Sequence, residues 1–474
     1  MKKLQKINKV LLIFLILFFT IIFAKFLIYS YHKITNTCQL ESEEGNIISI
    51  STHFNKGYNI YSSLYEEPTY FVTTYTPVYY MIFGFLIKIF KHELITGRIF
   101  SFICSLLVSI LIYAILYKKT KDILISILTS LIYFSFGLIN YWSTITRMDI
   151  FSVLLSLIGI YLITNYNNKK KFYTSILFFI LAIYSNQSLI AAPAASFLWI
   201  YFKNRKKAIR FLILFSSFLA ISFLLLNIIT KGQIFLHTIY YNFSPSTFQF
   251  EEFKYILINM GALIVIGFFY ILKYPKELFS HYFILSSIIA TIKFIKSGSD
   301  LNYFIEPTIA LVIVLGITIH KIYKHKKKAF LFLTILLILL LPTSNLERQE
   351  RLGTCSIEYE GISNFIKTSP GNVLVEYQHM ALKNKKELNP DAFKWYELES
   401  KGIINESEIY DYCLDKNYSL IIYFEDYKKI KGLKKCIDEK YTLIKKIKSE
   451  INYGAEWKIY KSKEIIKKIN DTSS

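Results

Sequence analysis

The sequence predicts a polytopic α-helical membrane protein, with about eleven spanning helices and a small soluble α/β domain at its C-terminal end. Three observations predict this class. The 474 residues are 53% hydrophobic and only 19% charged. Apolar runs of about 15–22 residues recur from residue 10 to residue 342, each long enough to cross a hydrocarbon core of about 30 Å at 1.5 Å per residue. Beyond Pro342 these runs stop and the chain turns polar.

The runs lie near 10–30, 97–116, 123–139, 150–164, 174–187, 189–202, 211–229, 255–272, 278–292, 303–319 and 329–342. The first follows MKKLQKINK and continues past Lys25 to Tyr29 with no small-residue cleavage site, so it reads as a retained signal anchor. The net charge is +22, carried in short clusters between runs: Lys2 to Lys9, Lys118 to Lys121, Lys169 to Lys171, Lys203 to Arg210, Lys273 and Lys276, and Lys321 to Lys328. If the runs cross alternately, every cluster falls on the side of the N-terminus, and the positive-inside rule makes that side cytoplasmic. The charge then reports orientation and not nucleic-acid binding. Residues 77–91 would spoil this alternation if they crossed. They begin at Pro77 and are short, so they read as a helix lying at the outer interface, with Lys88 and Lys91 reaching toward headgroups.

Two domains follow. Residues 1–342 form the transmembrane domain, whose long first outer loop (31–96) carries interfacial helices. Residues 343–474 form the extracytoplasmic α/β domain. In the latter, NVLVEY (372–377), YSLIIYF (418–424), YTLIKKI (441–447) and EWKIYK (456–461) have strand composition, while 390–402 and 405–416 read as helices. The five cysteines, at 38, 104, 355, 413 and 436, have no metal-ligand spacing and read first as free thiols. A Cys413–Cys436 bond would require an oxidising compartment.

With orientation set, the outer face collects the residues suited to chemistry. The first loop holds Glu43-Glu44 and Glu66-Glu67. Arg147 and Asp149 stand against the start of a span, where charge is costly and calls for a reason. The next hairpin turns at Asn186-Gln187-Ser188, and the loop 293–307 brings Lys293, Lys296, Asp300, Asn302 and Glu306. Each feature alone has a plain reading: a solvated loop, acids at a helix start, or a local ion pair.

Taken in order, however, E43-E44-G45, the spacer to G57-Y58-N59-I60-Y61, Y75-T76-P77-V78-Y79-Y80, G97-R98 with S101, R147-M148-D149, N186-Q187 followed by P193, and G298-S299-D300-L301-N302-Y303-F304 resemble one superfamily. It comprises the polyprenyl-phosphate-sugar-dependent glycosyltransferases of the GT-C fold, among them the protein O-mannosyltransferases and aminoarabinose transferases. The chain departs from their pattern in having Glu-Glu for Asp-Glu, Asn186 for the Lys before Gln, and Asn59 for a Pro.

The resemblance implies a multi-pass enzyme of the plasma (inner) membrane. It would transfer a sugar from a polyprenyl-phosphate donor to a hydroxyl acceptor on a cell-envelope glycan, lipid or protein, at the outer face and with inversion. It implies Glu43 as base, Glu44 as a partner sharing the proton or orienting the acceptor, and Asp149 as a second positioning acid. Arg147 is the first choice to clamp the lipid phosphate, with Lys293 and Lys296 behind it. Gln187 and Asn302 would donate to sugar or phosphate, and Tyr75, Tyr79 and Tyr303 would line the sugar or lipid groove. No cofactor is expected to be required; a divalent metal is compatible but not expected. Two other readings stand beside this one: a transporter or flippase of a lipid-linked glycan, and a catalytically inactive glycolipid-binding protein.

Overall fold

The computed structural model describes residues 2–66, 70–243, 250–296, 298–325, 327–340, 357–387, 389–424, 427–448 and 456–467. Glu67, Pro68, Pro342 and Cys355, which the sequence reading touched on, lie outside these residues.

Every apolar run overlaps a helix. In chain order these are α1 (Lys2–Thr35), α2 (Ser42–Asn55), α3 (Val78–Phe90), α4 (Glu93–Thr120), α5 (Ile123–Ile132), α6 (Gly137–Trp142), α7 (Met148–Ile163), α8 (Lys169–Ile183), α9 (Ala191–Lys203), α10 (Arg205–Ile229), α11 (Gln233–Phe235, continued by a π turn at Leu236–Tyr240), α12 (Phe250–Lys273), α13 (Leu278–Phe294), α14 (Ile305–His325) and α15 (Lys327–Leu340). Among the described residues, four helical stretches are long and apolar enough to cross a membrane: Lys6–Thr35, Glu93–Thr120, Arg205–Ile229 and Leu301–His325. Shorter apolar helices, α7 and α13 among them, pack between these. The protein is a helical membrane protein.

Two local features depart from a simple reading of hydropathy. The run 123–139 is not one helix: α5 ends at Ile132, a 3-10 turn follows at Tyr133–Ser135, and α6 restarts at Gly137. The break steers residues 143–147 inward. The segment 77–91 forms α3, whose thirteen residues extend only about 20 Å. It buries Tyr79, Tyr80, Phe83 and Ile87 against α2 and α4 and leaves Lys88 exposed. Gly97 lets α4 pass close to residue 146, since a methyl group there would overlap the Thr146 side chain.

The C-terminal residues carry α16 (Ile357–Thr368), β1 (Val373–Val375), α17 (Gln378–Lys383), α18 (Ala392–Ser400), α19 (Glu406–Lys416), β2 (Leu420–Tyr423), α20 (Lys431–Lys440), β3 (Tyr441–Lys448) and β4 (Glu456–Ser462). The sheet order is β1-β2-β4-β3, with β1 parallel to β2 and the other pairs antiparallel. Side chains alternate across a strand, and both faces are buried. Leu374, Ile421 and Tyr423 face a core that includes Trp395, Leu64, Tyr70, Val72 and Tyr241. Val373, Val375, Leu420 and Ile422 face another that includes Ile362, Met380 and Cys38. Residues of the first loop thus complete both cores, and the sheet lies as a roof over the membrane helices. The edge strand β3 is mostly exposed and carries Lys445, Lys446 and Lys448, charges that discourage edge-to-edge pairing. Cys413 and Cys436 are bonded, which corrects the free-thiol reading; Cys38 is disulfide-bonded as well, and Cys104 is free.

Candidate active site

The site is built on a buried ion pair. Arg98 of α4 and Glu44 of α2 are both 0% exposed and meet fork to fork, Nε to Oε1 at 2.8 Å and Nη2 to Oε2 at 2.7 Å. Arg98 also donates to the carbonyls of Lys33, Asn36 and Cys38. Glu44 accepts from the backbone N–H groups of Leu40 (3.0 Å) and Thr146 (3.1 Å). Burial alone would raise this carboxyl, but Arg98 and the two N–H donors outweigh burial and hold it below the usual range. Such a carboxylate has no lone pair left for an acceptor proton. Glu44 ties the end of α1, the start of α2 and the loop before α7 at one point.

Glu43 leaves the same turn about 100° away and lines a cavity of about 250 Å³ beneath the C-terminal sheet. Four other carboxylates line that cavity, and each has a partner. Glu41 pairs with Arg147; Asp300 accepts from the Leu301 N–H at 2.6 Å, Glu376 from the Phe424 N–H, and Asp391 from the Lys394 N–H. The Glu43 side chain makes no hydrogen bond or ion pair to any described residue; its backbone N–H donates to the Glu41 carboxylate.

Arg147 caps α7 and Asp149 sits in its first turn, where the helix dipole favours an acid. Arg147 donates from Nε to Asp149 Oδ2 at 2.9 Å, from Nη1 to Glu41 Oε2 at 3.1 Å and from Nη2 to the Tyr75 hydroxyl at 3.3 Å, and lies over the Trp142 ring. The other oxygen of Asp149 accepts from Asn302 at 3.0 Å and Asn186 at 3.4 Å. Arg147 is therefore already matched by two carboxylates. Glu41 is its looser partner: burial, only partly offset by Arg147, pushes that carboxyl up to about 7.

Two further cations come from elsewhere. Lys296 donates to Asn242 Oδ1 at 2.6 Å, and Lys394 of α18 donates to the same oxygen at 3.2 Å and to Glu397 at 2.6 Å. Both line the cavity with Glu43. Burial first, then the Lys394 charge, pull Lys296 down to about 7, against the opposing pull of Glu397. Gly298 (φ 71°) places the loop against this roof, since a Cβ there would overlap the Phe393 ring.

The remaining expected residues divide. Tyr75, Tyr303 and Asn302 line the cavity. Lys293 lies behind it, 4.0 Å from the Tyr303 ring centroid, in a smaller space of about 30 Å³ with Asp149, Asn186 and Glu306. Two expected residues lie outside both spaces. Tyr79 is fully buried among Phe83, Phe100 and Phe151 and reaches neither space. Gln187 donates to the carbonyls of Thr74 (2.9 Å) and Thr238 (3.3 Å), so it fastens the Tyr75 loop to the turn at 236–240. Glu41, Asn242, Lys394 and the role of Arg98 went unread in the sequence. Glu41 carried a signal as the third acid of E41-S42-E43-E44, and Arg98 as part of the G97-R98 motif. Among the described residues no three His, Cys, Asp or Glu side chains gather in a metal-binding group.

No protein-family profile and no curated protein matches the chain. Solved structures do. ArnT from Cupriavidus metallidurans, bound to undecaprenyl phosphate, superposes with a TM-score of 0.60 at 9% identity, over 93% of this chain and 97% of that one. The same protein in the apo state gives 0.61 at 9% identity, with the same coverage. The apo oligosaccharyltransferase of Archaeoglobus fulgidus gives 0.55 at 9% identity, over 85% of this chain and 69% of that one. With the helical bundle, the long first loop and the cavity under the C-terminal sheet described, these likenesses fix the architecture: the chain has the GT-C fold.

Proposed function

We infer that the protein is a membrane glycosyltransferase that moves a sugar from a polyprenyl-phosphate donor to a hydroxyl acceptor at the outer face of the plasma membrane. One observation carries the reading: a single cavity holds one carboxylate side chain with no partner among the described residues, Glu43, together with two lysines, Lys296, which donates to Asn242, and Lys394, which pairs with Glu397. The fold supports it, since ArnT, which shares the fold, was crystallised with undecaprenyl phosphate.

In the proposed step, Glu43 takes the proton of the acceptor hydroxyl as that oxygen bonds to the anomeric carbon from the face opposite the phosphate. The bond from that carbon to the phosphate oxygen breaks, and its electron pair leaves on the lipid phosphate. The product has inverted configuration. Lys296 and Lys394 meet the phosphate charge, which grows in the transition state. Arg147, held by Asp149, faces the sugar or phosphate when Glu41 gives way. Asn302 and Asn186 hold Asp149. The Cys413–Cys436 bond supports the extracytoplasmic side, where disulfides persist, and the basic clusters support about eleven crossings.

Mass spectrometry of envelope glycans in a deletion strain tests the function. Loss of one sugar, with its lipid-phosphate donor accumulating, is the expected result. Unchanged glycans would reject the enzyme reading. A build-up of complete lipid-linked glycan on the inner leaflet would favour the flippase instead.

A further inference from the structure

We propose that the end of the bundle opposite the candidate active site holds the phosphate of an anionic membrane lipid. A cavity of about 200 Å³ opens where the C-terminal ends of α4, α7 and α9 meet the start of α13. The two ends are fixed by shared helices. Asp149 starts α7 and Lys293 ends α13 at the active site, while Thr164 and Leu278, at the other ends of the same helices, line this cavity. Fifteen helical steps separate each pair, about 22 Å at 1.5 Å per residue. The cavity therefore lies at the far membrane boundary, out of reach of the transferred sugar.

Its lining has the chemistry of an anion site. Lys118, Lys119 and Lys203 face it, together with one carboxylate, Glu277. Lys119 pairs with Glu277. Lys118 donates to the Thr164 hydroxyl at 2.6 Å and sits 5.0 Å from the Tyr161 ring centroid; Lys203 sits 4.2 Å from that of Trp199. Neither forms an ion pair with a carboxylate among the described residues, and three lysines share the cavity with one carboxylate, Glu277, so its charge is positive in surplus. Each ammonium keeps donors to spare, because a ring face accepts no conventional hydrogen bond. Lysines at helix C-termini also complement the dipole, but that alone does not bring charges from two helices around a common space. Trp and Tyr mark headgroup depth, and basic pockets between membrane helices suit lipid headgroups. The bilayer presents phosphate at this depth; a dissolved phosphate offers the same group without the acyl chains.

Native mass spectrometry of the full chain, released from nanodiscs of phosphatidylcholine containing one-tenth phosphatidylglycerol, reads the site. Wild type is expected to retain phosphatidylglycerol. Lys118→Gln with Lys203→Gln is expected to retain at least fivefold less. Lys169→Gln with Lys170→Gln, which removes exposed charge on the same boundary, is expected to match wild type. If the first double variant is not recovered, Lys203→Gln alone, at an exposed position, is expected to give at least a twofold loss. Equal loss in the cavity and control variants would overturn the proposal in favour of a diffuse basic surface. Displacement of the lipid by millimolar inorganic phosphate, with equal stabilisation by phosphate in pure phosphatidylcholine, would overturn the lipid and leave a soluble anion. None of these readouts depends on glycosyl transfer.

Discussion

Glu43 and Glu44 are neighbours of the same residue type in the first turn of α2, yet they sit in two opposite regions. Around Glu44 every oxygen is spoken for, by the Arg98 fork and by two backbone N–H groups, with no solvent contact. Around Glu43 lies a cavity whose other carboxylates are all bonded, while the Glu43 side chain has no partner among the described residues. The contrast teaches that charge cost is met in two ways in one helix turn: by complete internal pairing where the fold must hold, and by incomplete pairing where a ligand must enter.

The sharpest way to break the comparison is to strip the paired region. Arg98→Leu leaves Glu44 buried and unpaired, and is expected to destabilise the chain by about 3–5 kcal/mol, read as a lowered midpoint of thermal unfolding in detergent. Glu43→Gln, one residue from Glu44, is expected to stay within about ±0.5 kcal/mol of wild type. Similar midpoints for the two variants would erase the distinction. In the open region, Lys296→Ala and Lys394→Ala are each expected to weaken donor binding about 10- to 100-fold, the size of a lost charge-assisted hydrogen bond of about 1.5–3 kcal/mol. Titration with the lipid-phosphate sugar in nanodiscs measures this. Arg147→Ala is expected to weaken it less than either, because its charge is already matched by Glu41 and Asp149.

A smaller effect follows from pH. Lys296 must carry its proton to hold phosphate, and in the free protein it loses that proton as pH rises through about 7. Donor affinity is expected to be greatest below pH 7 and to fall above it by at most about tenfold per unit, measured as Kd from pH 6 to 9. Lys296→Arg, whose guanidinium stays charged throughout, is expected to flatten this fall. An equal slope in both proteins would assign the dependence to another group.

What the sequence could show depended on the range of the interaction. The helices of the bundle were legible because an apolar run long enough for a membrane is a local signal, as in α4 and α10. The break between α5 and α6 was not, since hydropathy runs on through Phe134 and Phe136 while the backbone turns. The strands showed in their composition, as in LIIY at 420–423. At the site, Arg147 and Asp149 stood out as costly charges at a boundary, and Glu43 through the resemblance of E43-E44-G45 to the family's motif. The pairing of Glu44 was not legible because no local pattern says which of two adjacent acids faces inward, and its partner Arg98 is 54 positions away. Gln187 looked like a ligand donor because its true acceptors, the carbonyls of Thr74 and Thr238, belong to distant segments. Lys394 comes from the C-terminal sheet domain and acquires meaning only once that domain roofs the cavity.

The central claim is that Glu43 is a base, held free by the pairing of everything around it. Its most direct test is the deletion strain complemented with Glu43→Gln, with donor binding measured on the purified variant. The account predicts normal protein levels, donor affinity within about twofold of wild type, and transfer reduced on the order of 10²-fold or more, so that the sugar stays missing from the envelope glycan. Restored glycan at wild-type levels would contradict it and remove Glu43 from the chemistry.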